Sequence, residues 1–74
     1  MTTARTARFN VGTTFLSSGK RKDTCTVTDI LRTYNSAGDL VNLRYVATHP
    51  FMGQLVTDYD VVETTIARNL LAAA

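Results

Sequence analysis

The stretch that decides the fold runs from Thr24 to Tyr59 and reads TCTVTDILRTYNSAGDLVNLRYVATHPFMGQLVTDY. Three of its segments are rich in the β-branched and aromatic residues that favour strands. They lie at residues 24–34, 40–49 and 54–59. The breaks between them, at 35–39 and 50–53, each contain a glycine, which supplies the backbone freedom that tight turns require. Strands joined in this way pair as antiparallel hairpins, so the stretch predicts a mainly β fold.

The first segment changes phase near Asp29. Before it, Cys25 and Val27 alternate with threonines, which places both apolar side chains on one face of a strand. After it, Ile30 and Leu31 are adjacent and the alternation is lost. A β-bulge adds one residue to a strand and bends it, which explains such a change. We therefore expect a sheet that curls into a small barrel.

The second segment has the most regular alternation in the chain. Four of its apolar residues fall on one face, which we expect to be the core face. They are Val41, Leu43, Tyr45 and Ala47. Paired with the first segment across the turn at 35–39, it predicts a hairpin from Thr24 to His49.

The N-terminal part supplies a further strand. Residues Phe9–Ser17 form the candidate, in which Gly12 indicates a bulge or a close backbone approach. We expect residues 1–8 to be a flexible basic tail and residues 9–74 to be a single small domain.

The C-terminal segment fits two structures. A turn at Asp60–Glu63 followed by a closing strand at Thr64–Leu71 would complete the edge of the barrel. Alternatively, Asp60 caps a helix, with Glu63 three residues later as in a capping box. We favour the turn and strand. The expected fold is thus a barrel of about five antiparallel strands with a short helical turn or helix near the C-terminus.

Composition limits the classes of protein that this chain can belong to. Seventy-four residues form one small domain, with little room for a large pocket beside a core. No apolar run approaches the ~20 residues of a membrane-spanning helix, and the one cysteine excludes an internal disulfide. We therefore expect a cytoplasmic protein. The charge is uneven, because residues 1–22 carry +5 and residues 23–74 carry −3.

The sequence does not predict an enzyme, a metal site or a cofactor. Cys25 and His49 are in principle a nucleophile and a base. However, Cys25 alternates in phase with Val27, which predicts a buried and inert thiol. One cysteine and one histidine are too few for a zinc site, and the four glycines are too far apart to cradle a phosphate.

The predicted strand plan resembles that of an SH3-like small barrel, which Tudor and KOW-type modules share. The resemblance covers about Phe9 to Leu71 and depends on five short strands, a bent second strand and a helical turn before the last strand. The segments TVTDI, at 26–30, and RYVATH, at 44–49, are also similar to short uncharacterised proteins of bacteriophages. The resemblance implies a binding module, located in the cytoplasm of a bacterial host if the chain is phage-encoded.

We therefore expect a binding module without catalytic activity. The first hypothesis is protein binding, as an adaptor or inhibitor or by self-association, because apolar residues at an exposed turn often anchor partners. The candidate contact residues are Phe51, Met52, His49, Tyr34, Arg32 and Arg44.

The alternative hypothesis is nucleic-acid binding, in which the basic tail and the basic loop after the first strand neutralise phosphates. Its candidate residues are Arg5, Arg8, Lys20, Arg21 and Lys22. Neither a membrane nor a small-molecule substrate is indicated.

Overall fold

The computed structural model describes residues 7–17 and 23–74, which form one antiparallel β-sheet and a short helix. The elements are β1 (Thr14–Leu16), β2 (Thr24–Tyr34), β3 (Leu40–Phe51), β4 (Gln54–Val61), α1 (Glu63–Arg68) and β5 (Leu70–Ala72). The strands lie in the order β4-β3-β2-β1-β5. The predicted fold class is confirmed: the domain is mainly β, with five antiparallel strands and one short helix near the C-terminus.

The central hairpin and its bulge are both as predicted. β2 and β3 pair along most of their length, with Val27 opposite Ala47. The next pair is Asp29 opposite Val46, so Thr28 is the extra residue of a bulge. β3 continues through Pro50 to Phe51, beyond the predicted end at residue 49. Proline lacks an N–H donor and is tolerated where a strand has a free side, and Pro50 is paired with β4 alone among the described strands.

The core lies around the middle of β3. Leu43, Tyr45 and Ala47 are each at most 2% exposed, as their alternation predicts. Val41 was predicted to join them, and this is wrong, because its side chain is 57% exposed. Alternation identifies the side chains that share a face of a strand, whereas Val41 lies where the hairpin extends past the core. Cys25 is buried with this cluster.

The first strand is shorter than predicted, because residues 9–13 form a turn instead. Gly12 has a φ of +99°, and its N–H donates to the carbonyl of Val27 at 2.8 Å. A Cβ at Gly12 would lie 3.2 Å from the Cβ of Ala74. The close backbone approach predicted at Gly12 is therefore confirmed. Phe9 is buried, while Val11 is 55% exposed.

The C-terminal segment combines the two structures that the sequence left open. Residues 63–68 form α1, so the favoured strand at Thr64–Leu71 is wrong for most of its length, and only Leu70–Ala72 is β5. The helix carries Ile66 into the core, where it is 0% exposed. This burial outweighs the strand preference of the adjacent threonines. Asp60 is not the cap, since the N-cap residue is Val62 and makes no side-chain cap hydrogen bond.

The hydroxyl group of Tyr45 joins three parts of the fold. It donates to Glu63 Oε2 at 2.7 Å and accepts from the N–H of Phe9 at 3.3 Å. The N–H of Arg8 donates to the same Glu63 oxygen at 3.3 Å. The rings of Phe9 and Tyr45 meet edge to face, with centroids 6.2 Å apart. Arg8, which the sequence assigns to the tail, thus contacts the folded domain, and Ala7 packs against the core.

We expect Tyr45→Phe to lower the free energy of unfolding by about 2 kcal/mol, because it removes a hydrogen bond to a carboxylate and leaves the buried Phe9 N–H unpaired. Urea denaturation measures this change. Tyr59→Phe is the matched control, because Tyr59 is 67% exposed and should tolerate loss of its hydroxyl. Equal stability of the two variants would contradict the role of Tyr45.

Candidate partner-binding surface

The candidate contact residues are distributed along the longest strand of the sheet. β3 has 12 residues, which at about 3.3 Å per residue separates its ends by roughly 36 Å. The turn to β2 follows one end and the turn to β4 follows the other. The molecule is accordingly elongated, with principal extents of 46 × 20 × 20 Å. Residues at the two turns therefore belong to separate surfaces.

The structure brings together three of the six candidates for protein binding. Phe51, Met52 and His49 lie at or near the β3–β4 turn. Arg32 and Tyr34 lie near the β2–β3 turn and are exposed.

The remaining candidate, Arg44, lies between the two turns. Its Nε donates to Asp60 Oδ1 at 3.0 Å, and its Nη1 donates to Asn42 Oδ1 at 2.6 Å. Its neighbours Leu43 and Tyr45 face the core, so Arg44 faces outward. Arg44 therefore contacts residues of its own sheet.

The β3–β4 turn has an unusual backbone. Phe51 pairs with Gln54, which leaves a two-residue loop of Met52 and Gly53. Both residues have positive φ, 51° and 78°, as in a type I′ hairpin turn. Gly53 adopts this conformation freely, whereas an L side chain pays about 1–2 kcal/mol for it. Asparagine is the preferred residue at the position that Met52 occupies.

The same turn exposes apolar side chains. Phe51 is 45% exposed, Met52 80% and Leu55 74%, and these three residues are called the hairpin tip below. Tyr59, further along β4, is 67% exposed. Sequence reasoning identified Phe51 and Met52 from their place in a turn but missed Leu55. Its only signal was alternation with Val56, which does not tell whether either face of a strand is covered.

A cleft of about 240 Å³ is lined by residues of β1, β2, β3, β4 and α1. Its apolar lining includes Phe15, Cys25 and Ala47, which are buried. Its polar lining includes His49 and Asp58, which come from neighbouring strands. The structure thus places the Cys25 thiol and the His49 imidazole at one cleft.

The thiol at this cleft is a poor nucleophile. Burial raises the pKa of the Cys25 thiol above its ordinary value near 9, and the negative charges of Asp58 and Asp23 raise it further. Cys25 is therefore a protonated thiol at neutral pH, which is the poorly nucleophilic form. Among the described residues, no group of three His, Cys, Asp or Glu side chains is placed to hold a metal ion.

The candidates for nucleic-acid binding fall mainly outside the described residues. Arg5 and Lys20–Lys22 lie there, and only Arg8 is described. Its guanidinium carbon lies 5.3 Å from the ring centroid of Phe9, a cation–π contact within the chain. The described part contains four arginines and six acidic residues, a net charge of −2.

Comparison with protein-family models, with curated proteins and with solved structures finds no match to this chain. In the part of the chain that the structure describes, no helix has the length and apolar character needed to cross a membrane.

We expect Cys25 to react slowly with iodoacetamide in the native protein at pH 8, because the thiolate is disfavoured and the side chain is buried. Asp58→Asn removes one of the charges that raise its pKa and should increase the alkylation rate several-fold. Asp39→Asn, a matched change at the β2–β3 turn, should not. Alkylation followed by mass spectrometry measures the rates. A native Cys25 that reacts faster than the denatured chain would contradict this account.

Proposed function

We propose that this chain is a protein-interaction module without catalytic activity and that it contacts its partner through the hairpin tip. The observation that carries the proposal is Met52, an apolar side chain that is 80% exposed on a left-handed backbone. Each feature costs free energy in the isolated protein. Unfavourable backbone conformations that persist in a fold are common at functional sites.

The composition of the tip supports binding. Phe51, Met52 and Leu55 present three large apolar side chains at one end of the molecule. Methionine is unbranched and polarizable, so it adapts well to the surface of a partner. Aromatic residues and methionine are enriched in protein interfaces.

The pairing of β3 with β4 also holds the hairpin tip in place. β3 and β4 pair from Phe51 opposite Gln54 to Ala47 opposite Asp58, which continues the hairpin into the core. The apolar side chains are therefore held in a defined arrangement before a partner arrives. Preorganisation of this kind reduces the entropy lost on binding.

The strand order supports the proposal at the level of the fold class. The order β4-β3-β2-β1-β5, with a helix before the last strand, is compatible with the SH3-like plan that the sequence resembles. We extend the proposal to an adaptor or inhibitor that acts in the cytoplasm, on a complex of a bacterial host if the chain is phage-encoded.

Site-specific photo-crosslinking tests the proposal. A benzophenone amino acid replaces Met52 in one variant and Ser36, in the β2–β3 turn, in a second. Both are irradiated in an extract of the cells that produce the protein. We expect one discrete protein adduct from position 52, absent from position 36 and lost when unlabelled native protein competes.

Competition by an unlabelled Leu55→Asn variant is the internal control, since this variant lacks part of the tip and should compete poorly. An adduct with a second copy of the chain would make self-association the interaction. Equal adducts from positions 52 and 36, or an adduct with nucleic acid alone, would contradict the proposal.

A further inference from the structure

The cleft adjoins β4, one of the two edge strands of the sheet. Among the described residues, β4 pairs with β3 along one side and with no strand along the other. The outer side of such a strand presents N–H and C=O groups on which an extended segment can pair. Cross-strand pairing with Ala47 places Asp58 on the side of β4 that faces the cleft.

The described residues that line the cleft include the carboxylates of Asp58 and Asp60 and no lysine or arginine. From Tyr45 to Ala67 the chain contains Asp58, Asp60 and Glu63 but no lysine or arginine. Asp60 is paired with Arg44, through a contact in which the Asp60 side chain is 91% exposed. Asp58 has no hydrogen bond or salt bridge within the described residues. Burial is the main cause of the raised pKa of Cys25 at the cleft, and the negative charges of Asp58 and Asp23 raise it further.

The lining of the cleft suits a long side chain with a charged end. Phe15, Ala47 and Val61 provide apolar surface, and Asp58 provides the carboxylate. Lysine and arginine have apolar stems and cationic heads, and they commonly place the stem on apolar surface while the head reaches a polar group.

From these contacts we infer that β4 and the cleft form a docking site for an extended peptide segment of a partner protein, with a lysine or arginine side chain in the cleft. The backbone of the segment pairs with the outer side of β4. Its side chain opposite Asp58 lies on the cleft side, because directly opposed residues of paired strands share a face. This inference rests on the proposed function and adds the chemistry of the partner.

A second copy of this chain is a poor occupant of the same edge. Two β4 strands in antiparallel pairing would place Asp58 and Asp60 of both copies on one ladder, and β4 has no basic residue to offset them. Like charges on neighbouring strands are destabilising. A basic segment is therefore favoured over self-pairing.

The test is an NMR titration of the full ¹⁵N-labelled chain with the probe peptide acetyl-Thr-Val-Lys-Val-Thr-amide. A matched peptide carries glutamate in place of lysine. We expect the lysine peptide to shift the amides of β4 and of Ala47 and Cys25, and the glutamate peptide to leave them unchanged. The affinity should fall as salt is added.

Variants of Asp58, with a control variant elsewhere, test the role of this carboxylate in peptide binding. Asp58→Asn should weaken binding of the lysine peptide about tenfold, because it removes a charge-assisted hydrogen bond. Asp39→Asn makes the same change of charge near the other end of the molecule and should have no effect. Asp58→Lys should reverse the preference toward the glutamate peptide. Thermal unfolding of each variant confirms that it is folded.

Three outcomes would overturn the inference. They are equal binding of the two peptides, shifts confined to residues away from β4 and the cleft, and no binding of either peptide at millimolar concentration. The peptide titration and the photo-crosslinking at position 52 give independent results. Loss of peptide binding with a retained adduct removes the docking site and leaves the proposed function. Peptide binding without an adduct contradicts the hairpin tip as the contact surface.

Discussion

The hydrogen bonds of the Tyr45 hydroxyl are the contacts on which the rest of the structure depends. Tyr45 is 0% exposed, and its oxygen joins β3 to Phe9 in the N-terminal turn and to Glu63 at the start of α1. A six-residue helix has no stability of its own in water, and an N-terminal turn has few local contacts. Both are held against the sheet where this oxygen lies. Burial and the carboxylate of Glu63 raise the pKa of Tyr45 above its ordinary value near 10, so the hydroxyl stays protonated and continues to donate.

The position of this core explains why the proposed contact surfaces lie where they do. The buried residues of β3 run from Leu43 to Ala47, in the middle of a strand that extends past them in both directions. A chain of this size has too little apolar surface to cover the ends of such long hairpins. The hairpin tip and the cleft both lie toward the end of the molecule that carries the β3–β4 turn. The β2–β3 end, with Tyr34 and Val41 exposed, is a separate surface.

The local pattern of the sequence was sufficient to predict the central hairpin and the bulge near Asp29. Strand alternation has a period of two, and a change of phase is visible without a structure. The same pattern does not tell how far a core extends, which is why Val41 was placed wrongly. The helix was the less favoured of the two C-terminal alternatives because Thr64 and Thr65 favour a strand, while the burial of Ile66 depends on tertiary contacts.

The candidate site was predictable to a smaller extent. Phe51 and Met52 were identified because apolar residues in a turn are unusual, but the positive φ of Met52 is visible only in the structure. The cleft was not predictable, since Cys25 and Asp58 come from different strands. Their placement depends on register. Between the pairs Tyr45–Val61 and Ala47–Asp58, β4 carries one residue more than β3, and this shift fixes the face on which Asp58 lies.

We propose that the hairpin tip is maintained for contact with a partner at the expense of stability. Met52→Asn tests it directly, because asparagine suits the left-handed turn and removes the exposed apolar side chain. We expect this variant to be more stable by about 1 kcal/mol in urea denaturation. As an unlabelled competitor it should no longer displace the partner from the photo-crosslinkable protein. A variant that is less stable than the native chain, or that competes as well as it does, would contradict the account.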